Sequence, residues 1–265
     1  MLRVQRALAA AGFRRYATYR QATAAGAFTN TVFGFLRTYV LLAVAAEAGS
    51  VGGYSGLDLV TYVWLGQGML AVVNAWEPLD LAERVRSGDV VADLLRPVDP
   101  LGAYLWADLG RAGFAVLTRF AAPLAVGAAV FGLALPEEPL TYPLFAVSAL
   151  AAVLIGFACK YLIGLSAFWL LDIRGVTMLW VLASGVGSGL AFPLTVLPDW
   201  LSALLWVATP FPSLLQSSVD IAVERGGLGH GLALLGGQVL WAALLLWLCS
   251  VAQRRGVRKL VVQGG

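Results

Sequence analysis

Apolar residues run through this chain in long blocks rather than alternating with polar ones. Six stretches, residues 26–46, 57–76, 112–134, 142–171, 176–192 and 230–251, are almost free of charge. Hydrocarbon about 30 Å thick needs roughly 20 helical residues to cross it, and each stretch is that long or nearly so. Helices are the expected form, because each satisfies its own backbone polar groups in lipid. A transmembrane barrel would alternate apolar and polar residues with period two, and these runs do not. The pattern predicts an all-α integral membrane protein with six transmembrane helices forming one bundle over residues 26–252.

The segments outside the blocks carry their own pattern. Residues 1–25 read as an amphipathic helix, with Leu2, Leu8, Phe13, Tyr16 and Tyr19 set among five arginines. Such a helix lies in the membrane interface with its basic groups near lipid headgroups. Residues 77–100, EPLDLAERVRSGDVVADLLRPVDP, read as two short amphipathic helices broken at Ser87-Gly88-Asp89, with Asp89 expected to cap the second. Pro97 and Pro100 are expected to end the segment. An apolar-faced helix outside the bilayer needs cover, from headgroups, the rest of the chain or a partner protein.

Residues 184–220 are the least regular. Gly185, Gly187 and Gly189 allow close helix approach, while Pro193, Pro198, Pro210 and Pro212 interrupt the helix. The apolar run 200–208 between them is too short to span. The segment 193–225 is expected to form a re-entrant helical hairpin dipping into the outer leaflet. Irregular backbone at that depth must be covered by protein or a water-filled cavity, which favours an internal pathway over a simple anchor.

Charge orients the bundle. The net charge is only +3. Arg3, Arg6, Arg14, Arg15 and Arg20 precede the first block, Arg84, Arg86 and Arg96 follow the second, and Arg174 follows the fourth. Arg254, Arg255, Arg258 and Lys259 follow the last, whereas the opposite loops hold only Arg225. This asymmetry places both termini in the cytoplasm, with residues 253–265 as a basic cytoplasmic tail. It is a membrane-orientation signal and calls for no nucleic-acid partner. Three cations, Arg37, Arg119 and Lys160, fall inside blocks, with no carboxylate expected mid-span to pair with them. They either snorkel to the interface or face a polar pathway, and Arg37, near the middle of its block, is the candidate pathway residue. With 60% hydrophobic and 12% charged residues, against about 25% charged in soluble domains, the chain needs lipid to cover its surface.

Several chemistries are missing from the sequence. There is no G-x-x-x-x-G-K-S/T loop to cradle a nucleotide phosphate, and the chain has two lysines and one histidine, His230. No catalytic, metal or cofactor site is expected. An intramembrane serine protease pairing Ser188 with His230 would want glycine at position 186, where this chain has Val186. Cys159 and Cys249 lie in separate blocks and are read as packing residues.

Two stretches carry a family resemblance: Ser87-Gly88-Asp89-Val90 followed by Leu94-Leu95-Arg96-Pro97, and Phe192-Pro193-Leu194, Leu197-Pro198, Trp200-Leu201 and Thr209-Pro210-Phe211. With the spacing of the blocks and the basic N-terminal helix, they make the chain resemble the membrane permease subunits of type 2 ABC exporters, above all bacterial six-span permeases of drug or viologen export. The resemblance implies an ATPase-coupling helix built from Val85, Ser87, Gly88, Asp89, Val90, Leu94, Leu95, Arg96 and Pro97. It implies an extracellular gate at Phe192, Pro193, Leu197, Pro198, Trp200, Pro210 and Phe211. It further implies a multi-pass protein of the bacterial cytoplasmic membrane, two partner ABC ATPase subunits that bind ATP and Mg, and a second permease, paralogue or self. The cargo class it suggests is a small amphipathic or hydrophobic compound. The alternative is a stand-alone channel or secondary transporter, which would want intramembrane carboxylates for coupling.

Overall fold

The computed structural model describes residues 2–170 and 172–259. Residues 260–265 of the expected basic tail lie outside the described residues. The described chain is helical, with no named strand and a single isolated bridge, Val51 to Tyr54. It runs α1 (Leu2–Thr18), α2 (Arg20–Ala48), α3 (Gly56–Val73), α4 (Leu81–Ser87), α5 (Val90–Leu94), α6 (Pro100–Ala115), a π turn (Val116–Phe120) and α7 (Ala121–Phe131). It continues with α8 (Thr141–Leu165), α9 (Arg174–Gly187), α10 (Asp199–Ala208), α11 (Gln216–Ala222) and α12 (Gly227–Val257).

Among the described residues, five stretches are long and apolar enough to cross a membrane: Arg20–Ala48, Gly56–Val73, Pro100–Phe131, Thr141–Phe168 and Gly227–Val257. The block expected at 176–192 forms α9, a helix of 14 residues, which at 1.5 Å per residue is about 21 Å long and short of the hydrocarbon. It stops because Gly189 takes a left-handed φ of +80° and Pro193 follows.

Three boundaries differ from the sequence expectation. The interfacial helix ends at Thr18, because Tyr19 leaves helical geometry (φ −94°, ψ 63°). Residues 20–25 therefore belong to the first long helix. The third long helix starts at Pro100, well before residue 112: Asp99 accepts from the Gly102 N–H at 3.0 Å and Pro100 occupies the first turn. An acceptor followed by proline is a strong helix start, so Pro100 opens a helix rather than closing a segment. Asp89 does not cap α5. It sits in helical geometry (φ −62°, ψ −19°), where its carboxylate instead accepts from Ser87 Oγ at 2.8 Å.

The core is built around α3 and α8. Trp64, Phe157 and Ile155 are wholly buried. Around them, α3 packs on α2 and α7, and α8 packs on α12 and α11. Trp64 fills the space left by two glycines: a Cβ at Gly127 would lie 2.3 Å from its ring, and one at Gly34 2.9 Å. The amphipathic α1 is clasped to α6 by backbone contact. A Cβ on Gly12 would stand 2.0 Å from the Ala107 carbonyl oxygen, and one on Gly110 1.9 Å from that of Ala9. Small residues let helix backbones meet where lipid supplies no hydrophobic drive. By contrast α9 has a wide apolar outer face, with Leu179, Leu182 and Val186 all exposed.

Gly110→Leu is expected to prise α1 from α6 and to lower the thermal unfolding midpoint of the purified protein, at a cost of about 1–3 kcal/mol. Gly113→Leu, on the same helix but with open space around it, is the control and is expected to leave the midpoint unchanged.

Candidate functional site

The two ends of the bundle differ in chemistry. The end carrying α1, α4, α5 and the C-terminal half of α12 is basic. There, α4 and α5 form a tight helical hairpin turned at Gly88, whose φ of +85° suits glycine. Arg84 Nε donates to Asp93 Oδ2 at 2.6 Å and closes the hairpin. The Asp93 carboxylate holds the Arg84 guanidinium above its ordinary pKa. Leu81, Ala82 and Val90 are buried, and Leu81 seats on α8 where Gly164 makes room, 3.1 Å from that glycine's Cβ position.

The structure divides the proposed coupling residues. Val90 is buried in the chain's own core, and Val85 and Leu94 are half-buried. Ser87, Gly88, Asp89, Arg96 and Pro97 are exposed. Leu95 is 81% exposed, and Val91 beside it is also exposed. An apolar patch next to Arg96 therefore faces outward, with Val90 and Leu81 buried behind it.

Behind the hairpin lies a buried ion triad that sequence reading missed. Asp108 Oδ1 accepts from Arg111 Nε at 2.7 Å and from Lys160 Nζ at 3.1 Å. All three side chains are buried. Lys160 thus has a carboxylate partner within the bundle, because the helix that carries Asp108 begins at Pro100 and brings it level with α8. Two cations on one carboxylate leave surplus positive charge. Arg111 directs it at the end of α3, donating to the carbonyls of Ala71 at 3.0 Å and Val72 at 2.9 Å. Carbonyls of a last helical turn lack intrahelical partners and carry partial negative charge. A cavity of about 920 Å³ opens beside the triad, lined by Tyr16, Asn74, Glu77, Asp108, Lys160 and Arg174 among others. At its rim, hydrogen bonding to Arg174 pulls the Asp172 carboxyl down to about 2.

The opposite end is closed by a polar knot around α11. Every residue of Gln216–Ala222 is buried, although four of them are Gln, Ser, Ser and Asp. Gln216 Nε2 donates to the Tyr54 hydroxyl at 2.8 Å and to Asp220 Oδ1 at 2.9 Å. Tyr54 in turn donates to Asp220. The Tyr62 hydroxyl lies between Gln216 Oε1, at 2.7 Å, and the Gly189 carbonyl. Arg225 stacks 4.3 Å from the centroid of the Tyr54 ring. A second cluster ties α8, α11 and α12: Ser148 Oγ donates to Gln238 Oε1 at 2.7 Å, and Gln238 Nε2 donates to the Ser213 carbonyl at 3.0 Å. Buried polar groups are tolerated here because nearly every donor finds an acceptor.

The proposed gate residues surround this knot unevenly. Pro193 is buried, Phe192, Leu197, Pro210 and Phe211 are half-buried, and Pro198 and Trp200 are exposed. Phe211 packs in the notch at Gly187, 2.6 Å from its Cβ position, and against Trp180 with ring centroids 5.6 Å apart. Arg37 reaches this region: its Nη1 donates to the Leu190 carbonyl at 2.6 Å, satisfying backbone where α9 has ended. Tyr54, Tyr62, Gln216 and Asp220 were not anticipated. The signal for two of them was the i,i+4 spacing of Gln216 and Asp220 within the short polar run Gln216-Ser217-Ser218-Val219-Asp220.

Outside the bilayer-crossing helices, Glu224 accepts from Thr141 Oγ1 at 2.7 Å and from the N–H groups of Glu138 at 2.9 Å and Glu137 at 3.0 Å. The Thr141 bond, with the two backbone bonds, lowers its carboxyl pKa from the ordinary 4.5. The charged form is the one the fold favours, so its contribution is present above about pH 4.5 and is lost as pH falls through the lowered value. Wild-type protein is expected to lose thermal midpoint between about pH 5 and about pH 3 more steeply than Glu224→Gln, read by melts across that range. For the triad, Asp108→Asn leaves two buried cations without their carboxylate and is expected to cost about 3–5 kcal/mol of stability. Asp108→Asn with Lys160→Met is expected to recover part of that loss in the same melts.

Residues 28–264 match a family model described as ABC-2 family transporter protein. No curated protein matches the chain.

Proposed function

The chain belongs to the ABC-2 family of transporter proteins, a membrane component of an ABC transporter, and from that premise we propose that it is the permease of an ATP-driven exporter. In this reading it supplies half of the route for a small amphipathic or hydrophobic compound, while a separate pair of ATPase subunits binds ATP and Mg and hydrolyses the nucleotide. The basic end faces the cytoplasm, following the bias of arginines toward that side. The outward patch of α4 and α5 is the observation that carries the proposal. It is apolar at Val91 and Leu95, adjoined by the exposed Arg96, stiffened by the Arg84–Asp93 bond, and set outside any helix that could cross lipid. The absence of a phosphate-binding loop from the sequence fits a chain that borrows its energy.

The other parts take roles from their positions. Rigid motion of an ATPase pushing on Leu95 would reach α8 through Leu81 and the ion triad through Lys160. The cavity of about 920 Å³ beside the triad lies in the size range of small-molecule sites and is the proposed cytoplasmic entrance. The segment from Phe192 to Phe211 is the proposed outer gate, latched to α2 by Arg37. The exposed apolar faces of α2 (Leu36, Val40) and α9 (Leu179, Leu182) support a second permease subunit, self or paralogue, closing the route.

Leu95→Asp is expected to abolish co-purification of the partner ATPase without altering the melting midpoint, since Leu95 is 81% exposed. Retention of the ATPase by that variant would refute the docking surface. Arg37→Ala is expected to slow transport-linked ATP hydrolysis in vesicles while the protein stays folded.

A further inference from the structure

A second, smaller crevice opens at the corner where α1 gives way to α2. Its volume is about 220 Å³, and its lining includes Tyr16, Tyr19, Thr23, Asn74, Phe114 and Arg119. Arg119 stands on the π turn, a one-residue irregularity often found at functional positions. Its Nε is buried and has no hydrogen-bond partner among the described residues. A Cβ at Gly26 would lie 2.7 Å from both Nε and Nη2, so the glycine in α2 is what leaves the guanidinium its place.

The nearby carboxylates are already engaged. Glu77, which also borders the crevice, accepts from Asn74 Nδ2 at 2.6 Å. Asp108 is held by Arg111 and Lys160, and Arg111, the other cation on the lining, is consumed by that triad and by α3. Arg119 thus forms no salt bridge among the described residues, and the one carboxylate on the lining, Glu77, is bonded to Asn74 instead. Charge in such a place is expensive unless a counter-charge arrives. The walls also include Tyr16 and Tyr19, a residue type that collects at the headgroup level. Immediately beyond the corner, α2 presents Phe28, which is 71% exposed, as apolar surface.

We propose that this crevice binds the phosphate headgroup of an anionic phospholipid from the leaflet at the basic end of the bundle. The guanidinium fork matches a phosphodiester and can bond two of its oxygens. The unpaired Arg119 guanidinium suits a mono-anionic headgroup, with Tyr16 and Tyr19 on the same lining. The acyl chains then run along α2. Tyr16, Asn74 and Glu77 border both this crevice and the larger cavity, but Arg119 lines only the crevice, so the lipid proposal stands whether or not the transport reading holds.

The test uses full-length protein in bilayer discs of phosphatidylcholine containing a minority of phosphatidylglycerol, followed by native mass spectrometry of the released protein. Wild type is expected to retain phosphatidylglycerol in preference to phosphatidylcholine. Arg119→Gln is expected to lower that retention about tenfold, the loss of one charge-assisted contact. Gly26→Ala, which displaces the guanidinium without removing it, is expected to lower it as well and decides the matter if Arg119→Gln fails to fold. Arg14→Gln, on the exposed side of α1, is expected to retain lipid as wild type does. Equal retention by wild type, Arg119→Gln and Gly26→Ala overturns the proposal, as does equal retention of the two lipids. Displacement of the lipid by excess inorganic phosphate would assign the crevice to a free anion instead and also overturns it.

Discussion

Asp108 is the group on which the basic end of this bundle depends. A carboxylate in so dry a place is stable only with its charge answered, and here two cations from different parts of the chain answer it. Because Arg111 also holds the last carbonyls of α3, three of the membrane helices meet through one carboxyl group. The surplus positive charge is spread onto the negative end of a helix rather than onto another acid. Lys160 stands little more than one turn before the end of α8, and it is there, at Gly164, that α4 rests.

At the other end the same problem is solved without net charge on most groups. Amide, hydroxyl and carboxyl groups of Tyr54, Tyr62, Gln216 and Asp220 satisfy one another and the broken backbone at Gly189. The result is that a short, wholly buried helix of polar residues can sit where lipid would otherwise reject it. Between these two fastened ends, α9 and α10 remain broadly exposed on their apolar sides. The molecule is therefore firm at its ends and lightly held along one flank.

Much of this was legible in the sequence because hydropathy over a long window answers directly to bilayer thickness. The five long helices and the break at Ser87-Gly88-Asp89 follow from that logic and from the conformational freedom of Gly88. What escaped reading depends on neighbours distant in sequence. The pairing of Asp108 with Lys160 spans 52 positions, and no local pattern signals it. The start at Asp99-Pro100 was misread because proline ends helices as readily as it begins them, and only the preceding acceptor separates the cases. Of the candidate coupling residues, amphipathicity grouped Val90 with Leu95 on one apolar face, and only the packing of Val90 into the chain's own core separates them. The polar knot at Gln216 and Asp220 was visible only as spacing, without its partners Tyr54 and Tyr62.

The clasp of Gly12 on Ala107 and of Gly110 on Ala9 has a mechanical consequence. With no side chain interposed at the crossing, the two helices cannot slide or lean independently. Any tilt of α6 must sweep α1 through the headgroup layer, displacing lipid as an outrigger displaces water. The stiffness and thickness of the surrounding bilayer thereby become part of the work that any rearrangement of this protein has to do.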